Sequence, residues 1–164
     1  MLLIARLDGR RHDRAAFDCG LPALNDYLRQ RASRHQRDGI ATTHVLCDDG
    51  MPSRILGYYT LSAAQLLLTD LQESDRQRLP RYPVPAARLA RLAIARKEQG
   101  CGLGAALLQD AVKRCLALRD ELGIRLLAVN AKDDQVAGFY RAFGFRPTAH
   151  AALTLYLPLG AGGR

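Results

Sequence analysis

No stretch of this chain is long and apolar enough to span a bilayer. The opening Met1-Leu2-Leu3-Ile4-Ala5-Arg6 is too short an apolar run, with no small-residue cleavage pattern, to act as a secretory signal. Both absences favour a cytoplasmic protein with no membrane partner. The cysteines Cys19, Cys47, Cys101 and Cys115 show no C-x-x-C spacing, and no histidine pair stands at ligand spacing. That excludes the usual patterns of a structural zinc or a disulfide framework, and no metal is expected. Lysine occurs only at Lys97, Lys113 and Lys132.

Arginine fills the place of the missing lysine. Lysine and arginine together number 24 against 16 acids, a formal net charge of +8. Such an excess suits a polyanionic partner, RNA, DNA or a multiply phosphorylated cofactor, and arginine suits bidentate contact with phosphate. A GC-rich genome that writes arginine for lysine would produce the same bias. At 164 residues, 48% apolar and 24% charged, the chain has the size and balance of one globular domain. The expectation is a single domain over residues 1–159, followed by a flexible glycine-rich tail over 160–164.

Periodicity and turn residues predict a strand near 2–7, helical segments across 14–37, and strands over 42–47 and 54–66. Pro80, Pro83 and Pro85 forbid regular helix before the next strand, expected at 88–95. Residues 103–122 carry an apolar stripe at helical spacing, Leu103, Leu107, Leu108, Ala111, Cys115, Leu118 and Leu122, with Gly123 as terminator. A strand over 124–130, a short helix over 133–143 ended by Gly144, and closing strands over 145–148 and 152–157 complete the chain. Strands alternating with helices and then ending in β-structure indicate an α/β fold with a sheet of mixed direction.

Chemistry concentrates where the strand at 88–95 runs into the helix at 103. Gly100, Gly102 and Gly104 alternate along this loop. Glycine lets the backbone adopt positive φ and removes β-carbons that would block a ligand, and successive N–H groups at a helix N-terminus form a concave anion site. A tight connection without ligand has the same sequence. No Lys-Ser/Thr follows, which excludes a P-loop, and no acidic residue ends the next strand at dinucleotide-fold spacing. Further on, Val136, Phe139, Tyr140 and Phe143 share a helical face, as a core stripe would. Tyr140 adds a phenol, protonated at neutral pH because its ordinary pKa is about 10.

Gln99-x-x-Gly102-x-Gly104 after a strand, with Phe139-Tyr140-Arg141-Ala142-Phe143-Gly144-Phe145 downstream, resembles the pattern of the GNAT-superfamily acetyltransferases. The resemblance implies the GNAT fold, a mostly antiparallel central sheet with splayed central strands flanked by helices. It implies acetyl-CoA as cosubstrate, with its pyrophosphate on Gln99, Gly100, Cys101, Gly102, Leu103, Gly104 and Ala105 and its pantetheine along Leu92, Ala93 and Ile94. Phe139 and Asp133 would also face the cofactor, although many members carry asparagine where Asp133 stands. Tyr140 would donate a proton to the departing CoA sulfur.

Three further stretches are similar to the GNAT toxins of toxin–antitoxin pairs: His12 to Leu28, Gly57 to Ala63, and Leu79 to Pro85. The resemblance then covers residues 6–157. It implies acetylation of the α-amine of aminoacyl-tRNA, arrest of translation, and restraint by a ribbon-helix-helix antitoxin; a homodimer is compatible with it. Arg29, Arg31, Arg34, His35 and Arg37 cluster in one region, and Arg76, Arg78, Arg81, Arg88 and Arg91 flank the proline-rich approach. Both groups are of the kind that position tRNA phosphates, and the second supplies the candidate tRNA contacts. Two alternatives stand beside this reading: acetylation of a small amine or protein N-terminus, and a non-catalytic CoA-binding module that represses transcription with a DNA-binding partner.

Overall fold

The computed structural model describes residues 1–77 and 79–160. Arg78 and most of the expected tail therefore lie outside the described residues. The strands are β1 (Leu2–Arg6), β2 (Thr42–Asp48), β3 (Gly57–Leu66), β4 (Val84–Ile94), β5 (Leu126–Asn130), β6 (Arg146–Pro147) and β7 (Thr154–Pro158). The helices are α1 (Pro22–Gln30), α2 (Ala32–Arg37), α3 (Glu73–Arg76), α4 (Leu103–Leu122) and α5 (Asp134–Ala142). The strands form one seven-stranded sheet in the order β1-β2-β3-β4-β5-β7-β6. β4 and β5 run parallel, and the pairs β1–β2, β2–β3, β5–β7 and β6–β7 run antiparallel. The chain divides into two compact units, Met1–Ser62 with Ala90–Ala111, and Ala63–Leu89 with Val112 onward.

In the first unit, α1 opens on Pro22, whose missing N–H costs nothing in the first turn. Tyr27 and Leu28 turn inward to a core with Phe17, Val45, Tyr58 and Ala93. Residues 14–21, expected to be helical, are not. The Asp13 carboxylate accepts the N–H groups of Ala15 and Ala16, and that of Asp18 accepts the N–H of Gly20. These local bonds replace the helical ones. β3 begins at Gly57 rather than 54, because Met51–Arg54 form a turn in which the Arg54 N–H reaches the Met51 carbonyl. Gly57 has no room for a side chain: a β-carbon there would lie 2.9 Å from the Ala93 carbonyl oxygen and 2.7 Å from Ile94 Cδ1. Gly57→Ala is expected to destabilise the protein by about 1–3 kcal/mol, read as a Tm lowered by several degrees in a thermal melt.

In the second unit, Leu66, Leu71, Val84, Leu126, Ala128 and Tyr156 form the core. Val84 starts β4 four residues before the expected position; Pro85 is exposed at this strand end, where proline is tolerated. The Tyr156 hydroxyl accepts the Gln72 N–H at 2.9 Å and donates to Asp75, which also takes Arg146. Gly123 ends α4 with φ of +83°, its N–H turned back to the carbonyls of Leu118 and Arg119. Along α4, Leu107, Leu108, Ala111 and Cys115 are fully buried, but Leu118 and Leu122 are exposed, contrary to the expected stripe. The inward position after Cys115 is Arg119 (i+4), whose guanidinium donates to the Leu159 carbonyl.

Candidate active site

The loop between β4 and α4 begins with a 3-10 turn at Arg96–Glu98, tied by a 2.8 Å ion pair from Glu98 to Arg54. Gly100 and Gly102 then take φ of +82° and +81°, a region that disfavours residues with a side chain. A β-carbon on either would meet nothing within 4 Å, so their glycine character answers a backbone need and leaves open space before the loop. The N–H groups of Gly102, Leu103, Gly104 and Ala105 have no acceptor among the described residues, and the first intrahelical partner of the turn is the bond from Ala106 N–H to the Gly102 carbonyl. Four donors at the positive end of a 20-residue helix form a site for an anion.

The expected cofactor residues divide by which groups remain available. The Gln99 side chain is occupied: its Nε2 donates to the carbonyls of Cys19 and Ile94, each at 3.0 Å. It shapes the loop and does not present a free amide. Ile94 thus has an engaged carbonyl, Ala93 is buried, and Leu92 is half-buried. The Cys101 thiol is exposed.

The second unit carries Tyr140, the residue expected to act as the acid. Tyr140 lies on α5, 4% exposed, edge-on to Phe139 at 5.2 Å and to Phe145 at 5.3 Å. Burial alone pushes its phenol up to about 12, with no charged or hydrogen-bonding group contributing. A hydroxyl so placed stays protonated across the working pH range. Of the expected stripe, Phe139 is 36% exposed, enough to offer a ring face. Asp133 is the N-cap of α5, accepting the Val136 N–H at 2.9 Å, so one carboxylate oxygen already has a structural task.

The expected phosphate-binding arginines differ in freedom. Arg81 is exposed and Arg88 half-buried. Arg76 donates to the carbonyls of Leu71 and Thr69, and the Arg91 guanidinium stacks 3.5 Å from the Tyr27 ring centroid. Among the described residues no cluster of His, Cys, Asp and Glu could hold a metal, and no helix is long and apolar enough to cross a membrane.

The acetyltransferase (GNAT) domain family matches residues 40–147. The chain belongs to the GNAT acetyltransferases. A tRNA-acetylating toxin of Mycobacterium tuberculosis (strain ATCC 25618 / H37Rv) is 39% identical over 145 residues, spanning 88% of this chain and 85% of that protein. The solved structure of AtaT complexed with acetyl-methionyl-tRNAfMet superposes with a TM-score of 0.90 at 32% identity, over 96% of this chain and 95% of that one. A tyrosine-to-phenylalanine mutant of AtaT, bound to the C-terminus of the antitoxin AtaR and acetyl-CoA, gives a TM-score of 0.81 at 30% identity, over 96% and 93%. The seven-stranded, mostly antiparallel sheet is that of these toxins.

Sequence reasoning missed Asp18 and Asn25. Asp18 Oδ1 takes the Asn25 Nδ2 amide at 3.0 Å, and Asn25 Oδ1 takes the Cys19 N–H at 2.9 Å. A polar residue in the inward-facing register of α1, close to Tyr27 and Leu28, was the available clue.

Proposed function

We propose that this chain is a toxin that transfers the acetyl group of acetyl-CoA to the α-amine of aminoacyl-tRNA in the cytoplasm, so that the charged tRNA no longer serves translation. The observation that carries this reading is the likeness, over nearly the whole chain, to a toxin seen with acetylated methionyl-tRNA. The open N–H cradle at Gly102–Ala105 supports it, because a pyrophosphate needs converging donors. Gln99, Gly100 and Cys101 shape that cradle, and Leu92, Ala93 and Ile94 line the pantetheine side. By the family resemblance, Phe139 and Asp133 are assigned to the same cosubstrate.

In this mechanism the neutral amine attacks the thioester carbonyl, the carbon–sulfur bond breaks, and the Tyr140 hydroxyl gives its proton to the departing thiolate. The amine sheds its proton to solvent water as the amide forms, and solvent returns a proton to Tyr140, so the step balances. Residues 1–159 act as one catalytic domain, and a homodimer restrained by a ribbon-helix-helix antitoxin is its biological form. The AtaT complex with the AtaR C-terminus supports the antitoxin.

The test is incubation of the purified protein with labelled acetyl-CoA and either charged or uncharged tRNA, with products read by mass spectrometry after nuclease digestion. N-acetylated aminoacyl-adenosine is expected from charged tRNA only. Efficient acetylation of a small amine with charged tRNA inert would hand the activity to that other substrate class.

Arg81 and Arg88 are the arginines to neutralise, since Arg76 already serves two backbone carbonyls. Arg81→Ala with Arg88→Ala is expected to weaken tRNA binding and to flatten its log–log salt dependence by roughly 0.7–0.9 per lost phosphate contact, with acetyl-CoA affinity unchanged. An unchanged slope would place the tRNA elsewhere.

A further inference from the structure

The segment from Phe17 to Asn25 has no role in the chemistry above, yet it is hydrogen-bonded directly to the loop that would hold acetyl-CoA. Two successive peptide planes make the junction. In the first, the Asp18 carbonyl accepts the Arg96 N–H at 2.8 Å, while the Cys19 N–H donates to Asn25 Oδ1 at 2.9 Å. In the second, the Cys19 carbonyl accepts Gln99 Nε2 at 3.0 Å, while the Gly20 N–H donates to Asp18 Oδ1 at 2.8 Å. Each plane is thus held from one side by a side chain of the N-terminal segment and grips the cofactor loop with its other side. Asp18 Oδ1 also takes the Asn25 amide at 3.0 Å, so Asn25 fixes the first plane directly and the second through Asp18.

The base of this arrangement is rigid. Asn25 is 7% exposed on α1, next to the fully buried Tyr27 and Leu28. The Tyr58 hydroxyl donates to the Leu24 carbonyl at 2.6 Å, and the Arg29 guanidinium to the Phe17 carbonyl at 2.7 Å. Gly20, at φ of +91°, leaves the Arg96 side chain room: a β-carbon would lie 3.2 Å from its guanidinium. At the far end, both N–H groups of the Gln99 amide are used, one on Cys19 and one on the end of β4. That amide is a bridge between α1's segment and the strand that leads into the loop.

We propose that Asn25 and Asp18 are positioning residues for acetyl-CoA: through the two peptide planes and Gln99 they hold the loop in the conformation that aims its N–H groups at the pyrophosphate. The proposal rests on the reading of Gln99–Ala105 as the pyrophosphate site. Without the clamp the loop samples other conformations, and the cosubstrate must select the competent one, which weakens apparent affinity while leaving the bound complex intact.

The test measures acetyl-CoA affinity by calorimetry and, with charged tRNA, the KM for acetyl-CoA and kcat, on the full chain. Loss of a buried hydrogen-bonding group supports an expected effect of about ten-fold. Asn25→Ala is expected to raise Kd and KM by that factor with kcat at saturating acetyl-CoA within about two-fold. Gln99→Ala should also raise Kd, and the double variant should be no worse than the weaker single, because both act through Cys19. Asp18→Ala should weaken binding, and Asp18→Asn, which keeps the acceptor, should restore it. A folded Asn25→Ala with unchanged affinity, or a strictly additive double variant, overturns the proposal. Should Asn25→Ala not fold, the Asp18 pair decides, since that side chain is 55% exposed; unaltered affinity in Asp18→Ala refutes the clamp. Wild-type affinity in Gly102→Val would instead remove the parent reading.

Discussion

Tyr140→Phe is expected to bind acetyl-CoA as the wild type does and to turn over about 10²–10⁴-fold more slowly, the usual cost of removing a positioned general acid. The substitution keeps the ring that meets Phe139 and Phe145 edge-on, so packing is conserved and only the proton is lost. Single-turnover acetylation of aminoacyl-tRNA, with calorimetry of acetyl-CoA as control, separates the two effects. A rate within a few-fold of wild type would reduce Tyr140 to a core residue. The pH dependence gives a second check. Burial disfavours the phenolate and raises the pKa to about 12, so the acid is present below that pH and lost only as pH rises through it. The rate carried by Tyr140 should therefore show no descending limb at pH 8–10; a limb there would belong to another group. An ascending limb at lower pH is expected from the substrate amine, which must be neutral to attack.

The parts of the fold legible in the sequence were those with strong local patterns. The alternating glycines, the apolar positions Leu107, Leu108, Ala111 and Cys115, and the terminators Gly123 and Gly144 place α4, its loop and α5 from neighbours in sequence alone. Residues 14–21 misled because Asp13 and Asp18 turn their carboxylates onto nearby N–H groups, a choice that apolar spacing does not reveal. Leu118 and Leu122 misled in the opposite way, since apolar residues also occupy exposed helix positions. The loop and Tyr140 came from pattern and family resemblance together. The clamp was not legible, because Gln99 and Cys19 stand 80 residues apart and the bond between them uses a backbone carbonyl, which carries no residue identity.

Gly102→Val is expected to abolish measurable acetyl-CoA binding while the fold persists. Two costs act at this position. The left-handed φ of +81° is poorly tolerated by a β-branched residue, by about 1–2 kcal/mol. The added carbons also project into the open space before the free N–H groups of Gly102–Ala105, where the pyrophosphate is expected to approach. Only the second cost concerns the ligand, and a matched control isolates it. Gly123 has nearly the same φ, +83°, and equally has nothing within 4 Å of a β-carbon, but it ends α4 and faces no expected ligand. Gly123→Val should therefore lower the Tm about as much as Gly102→Val and leave the calorimetric affinity for acetyl-CoA intact. The contrast between the two variants is the measurement: equal strain and unequal binding place the pyrophosphate on the loop. Equal binding in both, at any Tm, would make the loop a connection between β4 and α4, and with it the acetyl-CoA site would have to be sought on another part of the chain.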